Sequence, residues 1–145
     1  MAPERLMIVD PLEEYVGYLL KRAATSTMSP LIRRLGTLRL RPADATVVLF
    51  IQANPGITQS ALSRSLDMAS ANMTPLIARL ARRELINRVP VDGRSHGLVL
   101  SAQGRVLASR IQRIVGAHEK RIARRIPAAQ RAGLIKLLRR LWRDT

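Results

Sequence analysis

The amino-acid sequence predicts a mainly α-helical fold with one small β-hairpin. Hydrophobic residues make up 47% of the 145 residues and aromatic residues 3%, so aliphatic side chains must form most of the core. Apolar positions recur at the three- and four-residue spacing of helices through most of the chain. The exception is residues 86–100, where two strand-like runs flank Asp92 and Gly93, a hairpin turn signal.

The N-terminal part of the chain is predicted to form two helices. Residues 1–9 are expected to be a loose arm. Residues 10–13 (DPLE) combine an Asp cap, a proline at the first helical position and a glutamate three residues after the cap, so a helix is expected to start there. Pro30 should either kink or end this helix. A second helix is expected to begin at residues 41–44 (RPAD) and to stop at residues 54–56 (NPG).

The central segment, residues 57–101, carries the pattern that bears most on function. Thr58 is a plausible cap for a short helix, and a second helical pattern begins near Ser70. One side of this second helix is apolar, at Met73, Leu76, Ile77 and Leu80. The opposite side lacks bulky apolar groups and consists of Ala71, Asn72, Thr74, Pro75, Ala78, Arg79 and Arg82. Two amphipathic helices occur in many small helical domains, but the hairpin that follows favours a winged helix-turn-helix.

The C-terminal part is predicted to be helical and to serve dimerisation. Ser101 can cap a helix over residues 102–125, Pro127 breaks the pattern, and a last helix covers about residues 128–142. These helices and the first one carry more apolar surface than a small DNA-binding domain could cover, so a second copy of the chain is the simplest partner. The sequence therefore predicts a chain of three parts: an N-terminal dimerisation helix (1–39), a winged helix-turn-helix domain (40–101) and C-terminal dimerisation helices (102–145).

The charge balance predicts an anionic partner. The net charge of +15 favours nucleic acid first and a membrane surface second. No apolar run approaches the roughly 20 residues that cross a bilayer, and acidic residues interrupt the N-terminus, so a cytoplasmic location is expected.

Several classes of chemistry are not expected in this chain. Because there are no cysteines, disulfides and thiolate metal sites are excluded. His96 and His118 lie in different elements without a carboxylate pair at ligand spacing, so neither a metal nor another cofactor is expected. The sequence shows no glycine-rich phosphate loop and no nucleophile with an activating base. An enzyme is therefore not expected.

The hairpin and its flanks resemble a known family. Residues 92–101 (DGRSHGLVLS) contain Asp-x-Arg followed after five residues by Leu-Ser, and residues 54–59 (NPGITQ) and 76–80 (LIARL) support the same match. Over about residues 12–142 the chain resembles the MarR-type (multiple-antibiotic-resistance regulator) winged-helix repressors. This resemblance implies a triangular homodimer on a pseudo-palindromic operator. It also implies that a small aromatic or anionic effector relieves repression, from a pocket between the dimerisation helices and the DNA-binding lobe.

The sequence departs from the family pattern at three positions. Pro75 stands where relatives often carry a basic residue, Glu84 replaces a usual glycine, and Ala69 replaces a common capping serine, so that Ser70 is expected to act as the cap or to contact phosphate. Residues 67–76 are also similar to MarR-type regulators of hydroxycinnamate catabolism, whose effectors are aroyl-CoA thioesters. The resemblance thus suggests an aromatic acid or its CoA thioester as the effector.

Candidate site residues follow from this pattern. Asn72 and Thr74 are expected at base edges, and Arg94 at the hairpin tip in a minor groove or on a phosphate. The expected phosphate contacts are Ser60, Ser63, Arg64, Ser70, Arg79 and Arg82. In each case the alternative is an ordinary solvated side chain.

An effector site is predicted on the first helix. Tyr15, Tyr18 and Arg22 follow helical spacing, so their rings could pack a ligand whose carboxylate Arg22 holds. The alternative is interface packing with a salt bridge from Arg22 to Glu13 or Glu14.

The sequence as a whole predicts a homodimeric, effector-released repressor that binds specific DNA sequences. The basic C-terminal block leaves three roles open: a solvated face, a site for a polyanionic ligand, or a membrane-surface helix. Alternative functions are a non-specific architectural DNA-binding protein and a basic membrane-surface or protein-interaction module.

Overall fold

The computed structural model describes residues 8–143, so most of the predicted N-terminal arm lies outside the described residues. The elements in chain order are α1 (Val16–Gly36), α2 (Pro42–Ala53), β1 (Ile57–Thr58), α3 (Gln59–Ser65), α4 (Ser70–Arg82), β2 (Ile86–Pro90), β3 (His96–Leu100), α5 (Ala102–Ala123) and α6 (Ala128–Arg143). This order confirms the predicted mainly helical fold with a hairpin after the second helix of a helix-turn-helix.

The sheet has three antiparallel strands in the order β1-β3-β2, one more than the sequence predicted. In β1, Ile57 pairs with Leu98 of β3, and this places the start of α3 against the hairpin. Gly97 is required at this crossing, because a Cβ there would lie 2.3 Å from the carbonyl oxygen of Gly56. The hairpin is therefore joined to the helix-turn-helix by backbone bonds.

The first helix begins later than expected. Residues 11–14 form a turn and α1 starts at Val16, so the prediction of a helix start at residues 10–13 is wrong. The cause is tertiary: the Asp10 carboxylate accepts a bond from the Leu12 N–H at 3.0 Å and also bonds to Tyr18 and Arg22 on α1. Asp10 therefore lies beside the helix instead of capping it.

Proline does not end α1, which continues through Pro30 to Gly36. Because proline has no N–H, the carbonyl of Ser26 lacks its usual helical donor at this point. Hydroxyl groups of the same helix add bonds to other carbonyls, as when the Thr27 hydroxyl donates to the carbonyl of Ala23 at 2.8 Å.

The core is centred on α2 and the apolar side of α4. Val47, Val48 and Ile51 of α2 are fully buried, and the first half of α5 adds further apolar groups. The α4 contribution consists of Met73, Leu76, Ile77 and Leu80, all buried as predicted. The helix-turn-helix, the hairpin and the start of α5 therefore form one packed unit.

The outer helices carry the chain's exposed apolar surface. Within the described residues α6 buries none of its side chains. The exposed apolar side chains of α1 and α6 include Val16, Leu19, Leu20, Ile135, Leu137, Leu138, Leu141 and Trp142. Burying such surface is favourable by about 25 cal/mol per Å², so this region is suited to a partner.

The end of α4 explains one departure from the family pattern. Glu84 has a φ of 55°, in the left-handed region that glycine adopts most easily. Its N–H donates to the carbonyl of Ala81 at 2.8 Å, and its carbonyl accepts the hydroxyl of Ser101 at 2.6 Å. The same Ser101 hydroxyl caps α5 by accepting the Gly104 N–H at 3.0 Å. The turn is thus fixed at both ends while a glutamate occupies a conformation that suits glycine.

Replacing Glu84 with glycine is expected to raise the free energy of unfolding by about 0.5–1 kcal/mol. A side chain in the left-handed region costs about 1–2 kcal/mol, and the larger entropy loss of glycine offsets part of the gain. Urea unfolding of Glu84→Gly measures the change. Glu84→Ala, which removes the charge but keeps Cβ, serves as the control, and an equal gain from alanine would contradict the backbone explanation.

Candidate nucleic-acid interface

The exposed side of α4 carries small side chains, of which Asn72 and Thr74 are polar. Ala71, Asn72, Thr74 and Pro75 are exposed, directly opposite the buried apolar side of the helix. Their shape leaves the helix backbone open to close approach by a groove of nucleic acid. Pro75 lies inside α4 without ending it.

The start of α4 differs from one prediction. Ala69 is the N-cap and makes no side-chain capping bond, and Ser70 is already the first helical residue, so Ser70 does not replace the missing cap. Ser70 is nevertheless exposed where backbone N–H groups point outward. In contrast, Thr58 caps α3 as predicted, since its hydroxyl oxygen accepts the Ala61 N–H at 3.2 Å.

A side-chain bond fixes α4 against α3. The Gln59 amide donates to the hydroxyl oxygen of Thr74 at 2.9 Å. Thr74 thus remains exposed but has part of its hydrogen-bonding capacity already used. Gln59 was not a predicted site residue, and only the fold brings it to Thr74.

Arg79 has a structural partner that the sequence did not reveal. Its guanidinium donates to Asp44 Oδ1 at 2.8 Å, and the side chains of Arg79 and Asp44 are 35% and 7% exposed. The other oxygen of Asp44 accepts the Arg41 N–H at 2.9 Å. Arg79 therefore ties α4 to α2 and does not project as the free outward arginine that the helical pattern predicted. Arg82, one turn nearer the helix end, is exposed.

A second arginine anchors the end of α4. Arg83 donates to the backbone carbonyls of Arg39 and Leu38 at 2.9 and 3.0 Å, in the turn between α1 and α2. The orientation of α4 is thus held by arginine contacts to both α2 and the α1–α2 turn.

Arg79→Leu is expected to lower the free energy of unfolding by about 1–3 kcal/mol, because it leaves the nearly buried Asp44 carboxylate without its charged partner. The loss in free energy of unfolding is modest because the Arg79 side chain is partly solvated, which weakens its ion pair with Asp44. Arg82→Leu, on the same helix and exposed, should change stability by less than about 0.5 kcal/mol. Chemical denaturation of both variants checks this, and equal losses would contradict a structural role specific to Arg79.

The hairpin tip is a preformed turn that presents an arginine. Asp92 Oδ1 accepts the N–H groups of Arg94 and Ser95 at 3.0 and 2.7 Å, and the Val91 N–H donates to the Ser95 carbonyl at 3.0 Å. The N–H bonds from Arg94 and then Ser95 lower the pKa of Asp92 below its ordinary value, so the carboxylate stays ionised further into the acid range. The Arg94 residue is exposed at this tip.

A further basic residue lies on β2. Arg88 is exposed and pairs in register with Leu98 of β3, so both side chains leave the same face of the sheet. Arg88 was not a predicted site residue, because it sits between strand-forming residues. Strand alternation gives no signal for it, since Arg88 lies two residues after the buried Ile86 and so on the same face.

The candidates on α3 separate into two groups. Ser60 and Arg64 are exposed, and the Ser60 hydroxyl lies 3.2 Å from that of Thr58. Ser63 is buried, so it does not offer the phosphate contact that the sequence suggested.

The predicted effector residues are only partly brought together. Tyr18 and Arg22 both donate to Asp10 Oδ2 at 2.9 Å, and Arg22 also donates to the Tyr18 hydroxyl oxygen at 3.0 Å. Hydrogen bonds from the Leu12 N–H first and from Tyr18 second lower the pKa of Asp10, helped by the charge of Arg22. Tyr15 stands apart and is 64% exposed. The partner of Arg22 is thus Asp10, and neither Glu13 nor Glu14.

Within residues 8–143, no group of three or more His, Cys, Asp or Glu side chains could hold a metal ion. Among the same residues, no helix is long and apolar enough to cross a membrane.

Comparison with known proteins decides the family. Residues 40–95 match the family model described as MarR family. The transcriptional repressor CouR, solved with a 23-mer DNA duplex, is 31% identical, with a TM-score of 0.83 over 91% of this chain and 95% of that chain. The chain belongs to the MarR family.

Other similarities of this MarR-family chain point the same way. CouR bound to p-coumaroyl-CoA has a TM-score of 0.84 at 27% identity, covering 96% of this chain and 99% of that one. The transcriptional repressor Rv2887 of Mycobacterium tuberculosis is 26% identical over 131 residues, 89% of this chain and 94% of its own length. A proposed regulator of the hcr operon in Thauera aromatica is 28% identical over 132 residues, 89% of this chain and 80% of its own. These relatives are transcriptional regulators.

Proposed function

We propose that this MarR-family protein is a homodimeric repressor that binds a specific DNA sequence and is released by a small aromatic or anionic effector. The observation that carries the proposal is the two-sided α4, whose apolar side is buried while its polar side is open and flanked by exposed Arg82 and Arg94. CouR, solved both with DNA and with p-coumaroyl-CoA, supports this combination of partners.

In the proposed complex α4 enters the major groove and the hairpin reaches the neighbouring backbone or minor groove. Asn72 is assigned to an adenine edge and Thr74 to a neighbouring base, since an amide can pair with adenine and a threonine methyl with thymine. Arg94 is the hairpin contact. The proposed phosphate contacts are Ser60, Arg64, Ser70 and Arg82, and the exposed Arg88 is proposed as a further one. Arg79 is removed from this set because Asp44 holds it.

The dimer is proposed to form through α1, α5 and α6. Their exposed apolar side chains lie in the N- and C-terminal parts of the chain, on either side of the segment that holds α4 and the hairpin. The division into residues 1–39, 40–101 and 102–145 stays part of this proposal, with the start of α5 packed against the winged helix-turn-helix part. A two-fold axis would present two α4 helices to successive major grooves about 34 Å apart, which calls for a pseudo-palindromic site.

The effector is proposed to be an aromatic acid or its CoA thioester. CouR, a relative with p-coumaroyl-CoA bound, supports an acyl-CoA, and Rv2887, solved with salicylic acid, supports a free aromatic acid. Thermal stabilisation by p-coumaroyl-CoA, compared with free p-coumaric acid and coenzyme A, distinguishes the two chemistries.

Arg94→Ala is the direct test of the DNA-binding function. The variant should weaken binding to the operator by about tenfold, because it loses one arginine contact of the strength of a phosphate contact. The slope of log K against log salt should also become less steep by about one unit. Fluorescence anisotropy at several salt concentrations measures both. Arg113→Ala, an exposed arginine of α5, removes the same charge and should leave both values nearly unchanged. Equal effects of the two variants, or equal affinity for operator and random duplex, would reject the proposal.

Leu137→Glu tests the dimer. Leu137 is 60% exposed on α6, and a carboxylate at a buried apolar interface should convert the dimer to monomer in sedimentation velocity. Lys136→Glu is the control, since adjacent helical residues point about 100° apart. The proposal fails if Leu137→Glu stays dimeric at micromolar concentration.

A further inference from the structure

Thr74, on the outward side of α4, uses its hydroxyl differently from other threonines in the helices. Thr25 and Thr46 each donate to the carbonyl four residues earlier, at 2.9 and 3.0 Å. Among the bonds within residues 8–143, Thr74 makes no such bond to Ser70, and its hydroxyl oxygen instead accepts the side-chain amide of Gln59 at 2.9 Å. The Thr74 hydroxyl is therefore held by a neighbouring helix and not by its own.

The backbone on both sides of this bond is anchored. Gln59 is half-buried at the start of α3, directly after the strand residue that pairs with Gly97 of β3 and caps α3. Leu62 of α3 and Met73 of α4 are fully buried in the same core. The sheet and the core thus fix the distance between Gln59 and Thr74, while the Thr74 side chain stays exposed.

The direction of the hydrogen bond determines what Thr74 can offer to a base. A hydroxyl has one O–H donor and two acceptor lone pairs. Because the Gln59 amide donates, one lone pair is used and the O–H remains to donate to another group. In the major groove thymine presents O4 as an acceptor, whereas cytosine presents an amino group. Contact with that amino group would leave the O–H unpaired where DNA excludes water, which costs free energy.

The side chains next to Thr74 on the outward side of α4 are small. Ala71 and Ala78, three residues before and four after Thr74 on the helix surface, end at Cβ. Pro75 is compact and exposed. A base edge can therefore approach Thr74 closely enough to contact both its hydroxyl and its methyl group. Thymine offers a matching pair of groups, O4 and the methyl group on C5.

We propose that Gln59 determines part of the sequence specificity of the operator contact. By donating to Thr74, it makes the Thr74 hydroxyl donate to O4 of a thymine, so that the protein selects thymine over cytosine. Gln59 itself contacts no base and acts through Thr74 as a positioning residue. The inference rests on the proposed function, because it requires α4 in the major groove.

The base that Thr74 contacts is found by selection from a library of duplexes with a randomised centre. The wild type is compared with Thr74→Val, which keeps the shape of the side chain and one methyl group but loses the hydroxyl. The wild type should select thymine at one position of each half-site. Thr74→Val should lose most of this preference and keep the preferences at the other positions.

Two matched duplexes then measure the effect of Gln59 by fluorescence anisotropy. One carries thymine at that position, and the other carries 5-methylcytosine, which keeps the methyl group but has an amino group in place of O4. The wild type should prefer thymine by at least about fivefold, as expected for one mismatched base pair. Gln59→Met, of similar size but without an N–H, should reduce this ratio to that of Thr74→Val. Gln103→Met, at an exposed glutamine of α5, should keep the wild-type ratio.

Gln59→Glu tests the direction of the hydrogen bond. A carboxylate accepts hydrogen bonds and donates none, so the Thr74 hydroxyl should now donate to it and turn lone pairs toward the groove. The preference should shift toward the 5-methylcytosine duplex. The added negative charge weakens both complexes, and the ratio of the two affinities separates base preference from charge.

Three results would overturn the inference. They are a wild-type ratio in Gln59→Met, a wild-type ratio in Gln59→Glu, and a Thr74→Val variant that selects the same sequences as the wild type. Circular dichroism confirms that the variants fold, and equal loss of affinity on both duplexes would mean that Gln59 only supports the fold. A wild type that binds all library members equally refutes the repressor function itself. A wild type that selects an operator, with an unchanged thymine preference in Gln59→Met, refutes only the role of Gln59.

Discussion

The burial of one side of α4 is the constraint on which the rest of the structure depends. Met73, Leu76, Ile77 and Leu80 are each at most 3% exposed. Because these positions recur at i, i+3, i+4 and i+7, burying them fixes the rotation of the helix about its axis. The side that carries Asn72 must then face outward. Arg79 on Asp44 and Arg83 on the α1–α2 turn fix the direction of the same helix.

The hairpin and α5 extend this constraint to the outer parts of the molecule. β1 pairs with β3, so the start of α3 and the hairpin share one sheet. α5 follows immediately, and Gly104 lets it approach the backbone of Leu85 so closely that a Cβ would lie 2.0 Å from that carbonyl oxygen. The first half of α5 therefore belongs to the DNA-binding unit, while its last turns pack near α1 around His118. A single helix thus connects the proposed DNA surface to α1.

Local signals explain why much of the fold could be predicted from sequence. The apolar side of α4, the Thr58 and Ser101 caps and the hairpin turn all depend on residues within a few positions of one another. Features that depend on distant residues were either not predicted or predicted incorrectly. Asp44 and Arg79 are 35 residues apart, and β1 exists only because β3 returns beside it. The start of α1 was misplaced because Asp10 bonds to side chains further along the helix.

The candidate site shows the same division. Helical periodicity identified which residues of α4 face outward, but it could not show that one outward arginine has a carboxylate partner on α2. Periodicity also could not predict that His118 and Arg121 of α5 lie near Pro30 of α1. That arrangement depends on the tertiary packing of two helices far apart in sequence. Tyr18 and Arg22 lie close together as predicted, and Asp10, which was not predicted to be there, bonds to both of them.

The most direct measurement uses the absence of cysteine in the natural chain. A single cysteine placed on the outward side of α4 by Ala71→Cys, or on exposed α5 by Ala117→Cys, gives one thiol whose reaction rate with a maleimide can be followed alone. The account predicts that operator DNA slows the reaction of Ala71→Cys by at least about tenfold, as expected for a contact occupied more than 90% of the time, and leaves Ala117→Cys unchanged. An equal rate for Ala71→Cys with and without saturating operator would contradict the assignment of α4 to the DNA surface.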